Sequence, residues 1–171
     1  AFEYDFSQAM LDEGREALAG SGLQVSQEKR DIFSGQLPHE DGELSCVQTG
    51  IFGTLGDDEA GLQRKAHILN ETNRILEDGG LLIMTCKNRP FPLEMRMSME
   101  EDFGFEILTD PDQTLMLPEE VLDGLTGGDP TKKQRLKYHL QGASYLVARK
   151  VAPSNPAEQV SLKRLKYSDS I

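Results

Sequence analysis

The sequence predicts an α/β fold, a Rossmann-like and mostly parallel sheet with helices on both faces. Three observations predict it. Short apolar runs of strand length alternate with longer amphipathic stretches of helix length. Residues 81–86 are the most apolar run of the chain, as a central parallel strand should be. A Glu77-Asp78-Gly79-Gly80 turn separates that run from the amphipathic stretch before it.

Each element follows from local chemistry. Residues 1–5 form a short strand ending in Asp5, and Ser7 is placed to accept from the free N–H groups of the helix that follows. Asp12 and Glu13 lie early in that helix, where the dipole favours negative charge, and Gly20 and Gly22 end it. Residues 23–28 alternate polar and apolar, a second strand with Asp31 beyond it. Residues 37–42 are turn chemistry, and residues 44–49 are a third strand followed by Gly50. Leu62, Ala66, Leu69 and Asn73 share one helix face, widened by Ile68, Ile75 and Leu76. The Glu77–Gly80 turn stops this helix, and Gly79 and Gly80 permit a reversal at positive φ.

Pro90 and Pro92 suit the first turn of another helix, whose Met95, Met99 and Phe103 recur every four residues until Gly104 ends it. Residues 105–108 form a strand. Residues 110–130 are loop-rich, with Pro118 opening a short helix, and residues 132–139 fit either helix or strand. Residues 143–151 are the last strand. Pro153, Asn155 and Pro156 mark a boundary, so residues 1–152 are expected as one domain and residues 153–171 as a polar tail, of which residues 157–171 have a weak helical pattern and are expected to lack fixed order.

Composition narrows the function classes. The 171 residues suffice for one domain with a core, and 37% hydrophobic with 27% charged residues is the balance of a soluble globular protein. No apolar run approaches the roughly 20 residues that cross a bilayer, and no leader pattern opens the chain. Cys46 and Cys86 sit in apolar stretches and read as buried thiols of a reducing, cytoplasmic compartment. With no CxxC pair, and with His39, His67 and His139 scattered, no metal site is expected. A net charge of −11 repels a polyanion such as DNA or RNA, so nucleic acid is not an expected partner. Two basic runs, residues 132–137 and 163–166, read as solvated helix faces.

Four stretches, in order, carry a family resemblance: Tyr4-Asp5-Phe6-Ser7-Gln8-Ala9-Met10-Leu11; Arg30-Asp31-Ile32 with Leu37-Pro38; Leu44 to Gly50; and the helix, Gly-Gly turn and strand over residues 68–85. Together they resemble the class I S-adenosylmethionine (SAM) dependent methyltransferases, of the methyltransferase-like type 11 or 25 domain. The resemblance covers most of residues 1–151. It implies that Asp5, with Phe6 beside it, sits at the end of the family's second strand, where a carboxylate accepts from both ribose hydroxyls of SAM. It implies that Asp31 accepts from the adenine amino group, that the Ile32 N–H meets a ring nitrogen, and that Thr49 and Gly50 line the cofactor and acceptor. The acceptor it implies is a small molecule, and no universal catalytic base is expected, because methyl transfer gains mainly from positioning.

Two departures stand out: Glu3 occupies a position that is usually Gly, and Ser45 one that is often Asp. The family's first strand and glycine-rich cofactor loop are expected before residue 1. In the family's strand order, 3-2-1-4-5-7-6, their absence leaves two inner edges unpaired. A longer parent chain, direct pairing of the second and fourth strands, or a strand from a second copy or another chain would each resolve this. Gly50, Gly53 and Gly56 lack GxGxxG spacing and precede Asp57, Asp58 and Glu59, so they read as a flexible loop over the acceptor rather than a phosphate cradle. Two competing functions remain at this level: a non-catalytic binding or scaffold module, and a nicotinamide-dependent oxidoreductase.

Overall fold

The computed structural model describes residues 1–5, 7–19, 24–33, 35–87, 90–109, 123, 127–131, 134, 143–155 and 159–167. Expectations resting on Phe6, Gly20, Gly22, Leu23, Pro118 and most of residues 132–139 lie outside them. The chain divides into two compact units, Ala1–His39 and Glu40–Ile171.

The first unit holds β1 (Phe2–Asp5), α1 (Gln8–Leu18) and β2 (Ser26–Lys29). The strands pair in parallel, from Phe2 opposite Ser26 to Asp5 opposite Lys29. Strand alternation puts Phe2 and Tyr4 on one face and Glu3 and Asp5 on the other. Phe2 and Tyr4 meet the His39 ring edge-on, with centroids 4.7 and 5.7 Å away. The Tyr4 hydroxyl and His39 Nε2 share a 2.9 Å hydrogen bond. On the opposite face Glu3 accepts from the Gln27 side-chain amide, which also donates to the Leu11 carbonyl at 3.0 Å. Glu3 is thereby engaged with β2 and α1. Ser7 caps α1 as expected, its Oγ accepting from the Met10 N–H at 3.4 Å. Asp12 is not in the first turn, where the dipole would favour it. It pairs instead with Gln8 and Arg15.

The second unit holds β3 (Leu44–Thr49), a 3-10 turn (Phe52–Thr54), α2 (Glu59–Ile75), β4 (Leu76–Lys87), α3 (Leu93–Glu101), β5 (Phe105–Ile107), β6 (Ala143–Lys150) and a 3-10 helix (Leu162–Leu165). Its sheet runs β3-β4-β6-β5. β3 and β4 are parallel, and β6 lies antiparallel between β4 and β5. In the family's numbering the two sheets read 3-2 and 4-5-7-6. Among the described residues β1 and β3 are not paired with one another, and each has a strand neighbour on one side only.

Register gives this sheet a buried face. Leu82, Met84 and Cys86 of β4 lie opposite Ala148, Leu146 and Ser144 of β6, and all are buried. α2 packs on β4 and α3 on β5. Met95, Met99 and Phe103 have no solvent exposure, and such burial contributes about 1.5–3 kcal/mol per side chain. Pro92 is the N-cap of α3.

Three expectations are corrected. α2 ends at Ile75, and Glu77 to Gly80 form not a free turn but an irregular stretch within β4, between the Leu44–Leu76 and Cys46–Leu81 pairs. Gly79 takes φ +83° there, and Lys150 Nζ donates to the Leu76 carbonyl at 2.7 Å. Cys46 is exposed on β3 rather than buried. Within the tail expected to lack order, residues 159–167 are packed. Leu165 and Tyr167 are buried, and Arg164 pairs with Glu101, Asp102 and Glu94 of the α3 region at 2.8, 3.2 and 3.7 Å. The second basic run is thus partly an ion-paired contact rather than a solvated face.

Two polar nodes fix the frame. Asn73 Nδ2 donates to the Phe103 and Ala152 carbonyls, both at 2.9 Å. Arg74 bridges Glu71 and Asp41, and these hydrogen bonds, Glu71 first, hold its guanidinium more firmly protonated than usual. Gly104 ends α3's turn at φ +69°, where a Cβ would overlap the Ala152 carbonyl.

Candidate functional site

Parallel α/β sheets bind ligands outside the carboxyl ends of their strands, where loops and helix N-termini present polar groups. The sequence-predicted site residues sit at such ends in both units. In the first unit Asp5 is the last residue of β1, and Asp31 stands two residues beyond Lys29, the end of β2. The Arg30 N–H donates to the Asp5 carbonyl at 2.9 Å, so the two strand ends are held side by side. Asp5 Oδ1 accepts from the Ser7 N–H at 2.7 Å, and Asp31 Oδ1 from the Phe33 N–H at 2.9 Å. Each carboxylate is oriented by the turn that follows its strand. A carboxylate offers about four acceptor positions, of which Ser7 takes one on Asp5. Ile32 lies in the turn after Asp31 and is half-buried. Phe6 lies outside the described residues.

In the second unit Thr49 ends β3 and Gly50 follows it. The loop beyond is built rather than slack. Phe52 is wholly buried, and Gly53 rests against Cys86 so closely that a Cβ would overlap its Sγ. Asp58 caps α2, accepting from the Gly61 N–H at 2.9 Å. Gly53 thus serves close packing against β4. Asp5, Asp31 and Ile32 are thus brought together in one unit, and Thr49 and Gly50 in the other.

Two features escape sequence reasoning. Thr85, near the carboxyl end of β4, puts its hydroxyl 3.2 Å from where a Gly50 Cβ would stand. Its place in an apolar run gave no sign of this. Lys65, fully buried, donates to Asp57 Oδ1 at 2.6 Å in the loop after β3. A lysine on the buried face of an amphipathic helix was the available signal, since a buried charge requires a partner.

The chain is similar in structure to the [4+2]-cyclase SpnF, with a TM-score of 0.51 at 19% identity over 88% of this chain and 66% of that one. A candidate methyltransferase from Bacillus halodurans C-125 gives 0.50 at 19% identity, over 88% and 83%. The StiE O-MT gives 0.50 at 18% identity, over 96% and 62%. This chain therefore spans just under two thirds of the cyclase and of the StiE fragment. At these identities the likeness is one of fold. No family profile and no curated protein matches the sequence. No helix among the described residues is long and apolar enough to cross a membrane.

Proposed function

We infer, for a chain with the class I SAM-dependent methyltransferase fold, that it is a SAM-binding domain of a methyltransferase acting on a small-molecule acceptor. The observation that supports this reading is the pair of acids, Asp5 and Asp31, that close two neighbouring parallel strands, each carboxylate fixed by the turn after its own strand. That arrangement fits a nucleoside. Asp5 is half-buried, and one oxygen is already fixed by Ser7, which suits it to accept from a vicinal diol. Asp31 is exposed and suits the exocyclic amino group, with the Ile32 N–H beside it. SAM, when bound, supplies an electrophilic methyl group on a sulfonium. The resemblance would assign Thr49 and Gly50 to its methyl side, and within their unit the Thr85 hydroxyl lies beside Gly50. Their contribution would be to orient the acceptor and exclude water, the main source of rate in such transfers.

The test is calorimetric titration with S-adenosylhomocysteine. Hydrogen bonds to a charged acceptor contribute about 1.5–3 kcal/mol, so Asp5→Ala should weaken binding about tenfold or more. Binding that is indifferent to Asp5→Ala would end the assignment of the ribose site. A competition with NAD separates this reading from an oxidoreductase.

A second reading has one observation in its favour. β1 and β3 each present an edge without a strand partner among the described residues, and such edges accept added strands. A non-catalytic binding module would use them. Binding of S-adenosylhomocysteine that depends on Asp5 counts against that alternative.

A further inference from the structure

The C-terminal segment follows an unexpected course. β6 is antiparallel to β4, and Lys150 ends it beside the amino-terminal half of β4. The chain then returns along α2 and α3, both of which pack against the Leu162–Leu165 helix. Asn155 begins this return by donating from its N–H to the Asp102 carbonyl at 2.8 Å and from Nδ2 to the Glu101 carbonyl at 2.9 Å. Arg164 holds its middle through the α3-region carboxylates. Tyr167, the last described residue, lies at the opposite end of the sheet. There the Tyr167 N–H donates to Asp57 Oδ1 at 3.1 Å, and the Tyr167 ring meets Phe91 at 6.2 Å. Asp57 belongs to the loop after β3 and Phe91 to the segment after β4. Tyr167 thus touches the loops beyond both parallel strands of this sheet.

One buried cation closes the contact. Lys65 Nζ reaches Asp57 Oδ1, the Leu165 carbonyl at 3.1 Å and the face of the Tyr167 ring at 4.8 Å. It therefore grips the loop and the C-terminal segment at once. Removing one member of such a set leaves a buried charge poorly compensated, so the set holds or releases together.

We propose that residues 159–167 are a strap that fixes the loop between β3 and α2, residues 50–58, and couples the C-terminal segment to ligand binding at the carboxyl end of β3. The identity of that ligand rests on the methyltransferase reading above. The strap itself rests on the contacts just described. Lys65, Asp57 and Tyr167 are positioning residues, acting through the loop that begins at Gly50.

The test is hydrogen exchange of the full chain, read by mass spectrometry, for Tyr167→Ala and for Arg164→Ala. The second variant removes partly exposed contacts and serves if the first unfolds. Peptides covering residues 51–60 should exchange about tenfold faster, while β4 and β6 keep their rates. Unchanged loop exchange overturns the proposal, and so does equal acceleration throughout, because the segment would then be an ordinary part of the core. In the wild-type chain, bound S-adenosylhomocysteine should slow exchange at residues 165–167, since coupling between sites is reciprocal. Binding without that slowing overturns the coupling. A wild-type chain that does not bind overturns the methyltransferase reading instead, and the variants alone then decide the strap.

Discussion

Asn73→Ala is the substitution whose cost can be worked most directly from the structure. Asn73 is 3% exposed, and its one side-chain amide joins α2 to the carbonyl of Phe103, before β5, and to the carbonyl of Ala152, after β6. Truncation leaves both acceptors without this donor. A buried acceptor left unsatisfied costs about 1–3 kcal/mol, and the Ala152 carbonyl is only partly buried, so the expected loss is about 2–4 kcal/mol. For a chain of this length each kcal/mol lowers Tm by about 2–4 °C. Urea unfolding followed by circular dichroism measures the loss directly. Asn73→Asp serves as the control. It keeps the shape but turns an oxygen toward each carbonyl, and should cost more than the alanine. A loss below about 1 kcal/mol for Asn73→Ala, or an aspartate milder than the alanine, would refute the reasoning, because the amide would then not be the group that joins the three elements.

Gly104→Ala should be among the most damaging single-methyl additions, costing about 3 kcal/mol or more in urea unfolding, because positive φ and overlap with the Ala152 carbonyl act together. Gly53→Ala should cost about 1–3 kcal/mol by overpacking against Cys86. The double variant Gly53→Ala/Cys86→Ala should cost less than the sum of its singles, and strict additivity in that cycle would show that the two positions do not meet.

Much of this fold was legible because its signals are local. β3 runs over residues 44–49 as the apolar pattern indicates, and Met95, Met99 and Phe103 are buried as their four-residue spacing requires. The Ser7 cap needed only a hydroxyl before an apolar helix. The features missed depend on distant partners. The irregular stretch at Glu77–Gly80 looks like a turn in sequence, and only pairing with β3 turns it into part of a strand. The C-terminal segment reads as polar because its ordering groups, Lys65 and the acids beside Arg164, belong to α2 and the α3 region. In the candidate site, Asp5 and Asp31 are visible as acids closing strand-like runs. Thr85 is not, since its relation to Gly50 exists only once β3 and β4 lie side by side.

The placement of Asp5 and Asp31 within Ala1–His39 has a thermodynamic consequence. A unit this small, with two four-residue strands and one helix, buries little apolar surface, and segments below about 40 residues seldom hold their fold unaided. Any ligand held by those two acids binds only the ordered form. Its observed affinity is then discounted by the fraction of molecules in which the unit is ordered, and a saturating ligand repays that ordering, by about 2.7 kcal/mol at a hundredfold excess over Kd. If the proposed nucleoside site is used, binding there and ordering of residues 1–39 would be linked. Melting curves recorded across a ligand series would report on both at once.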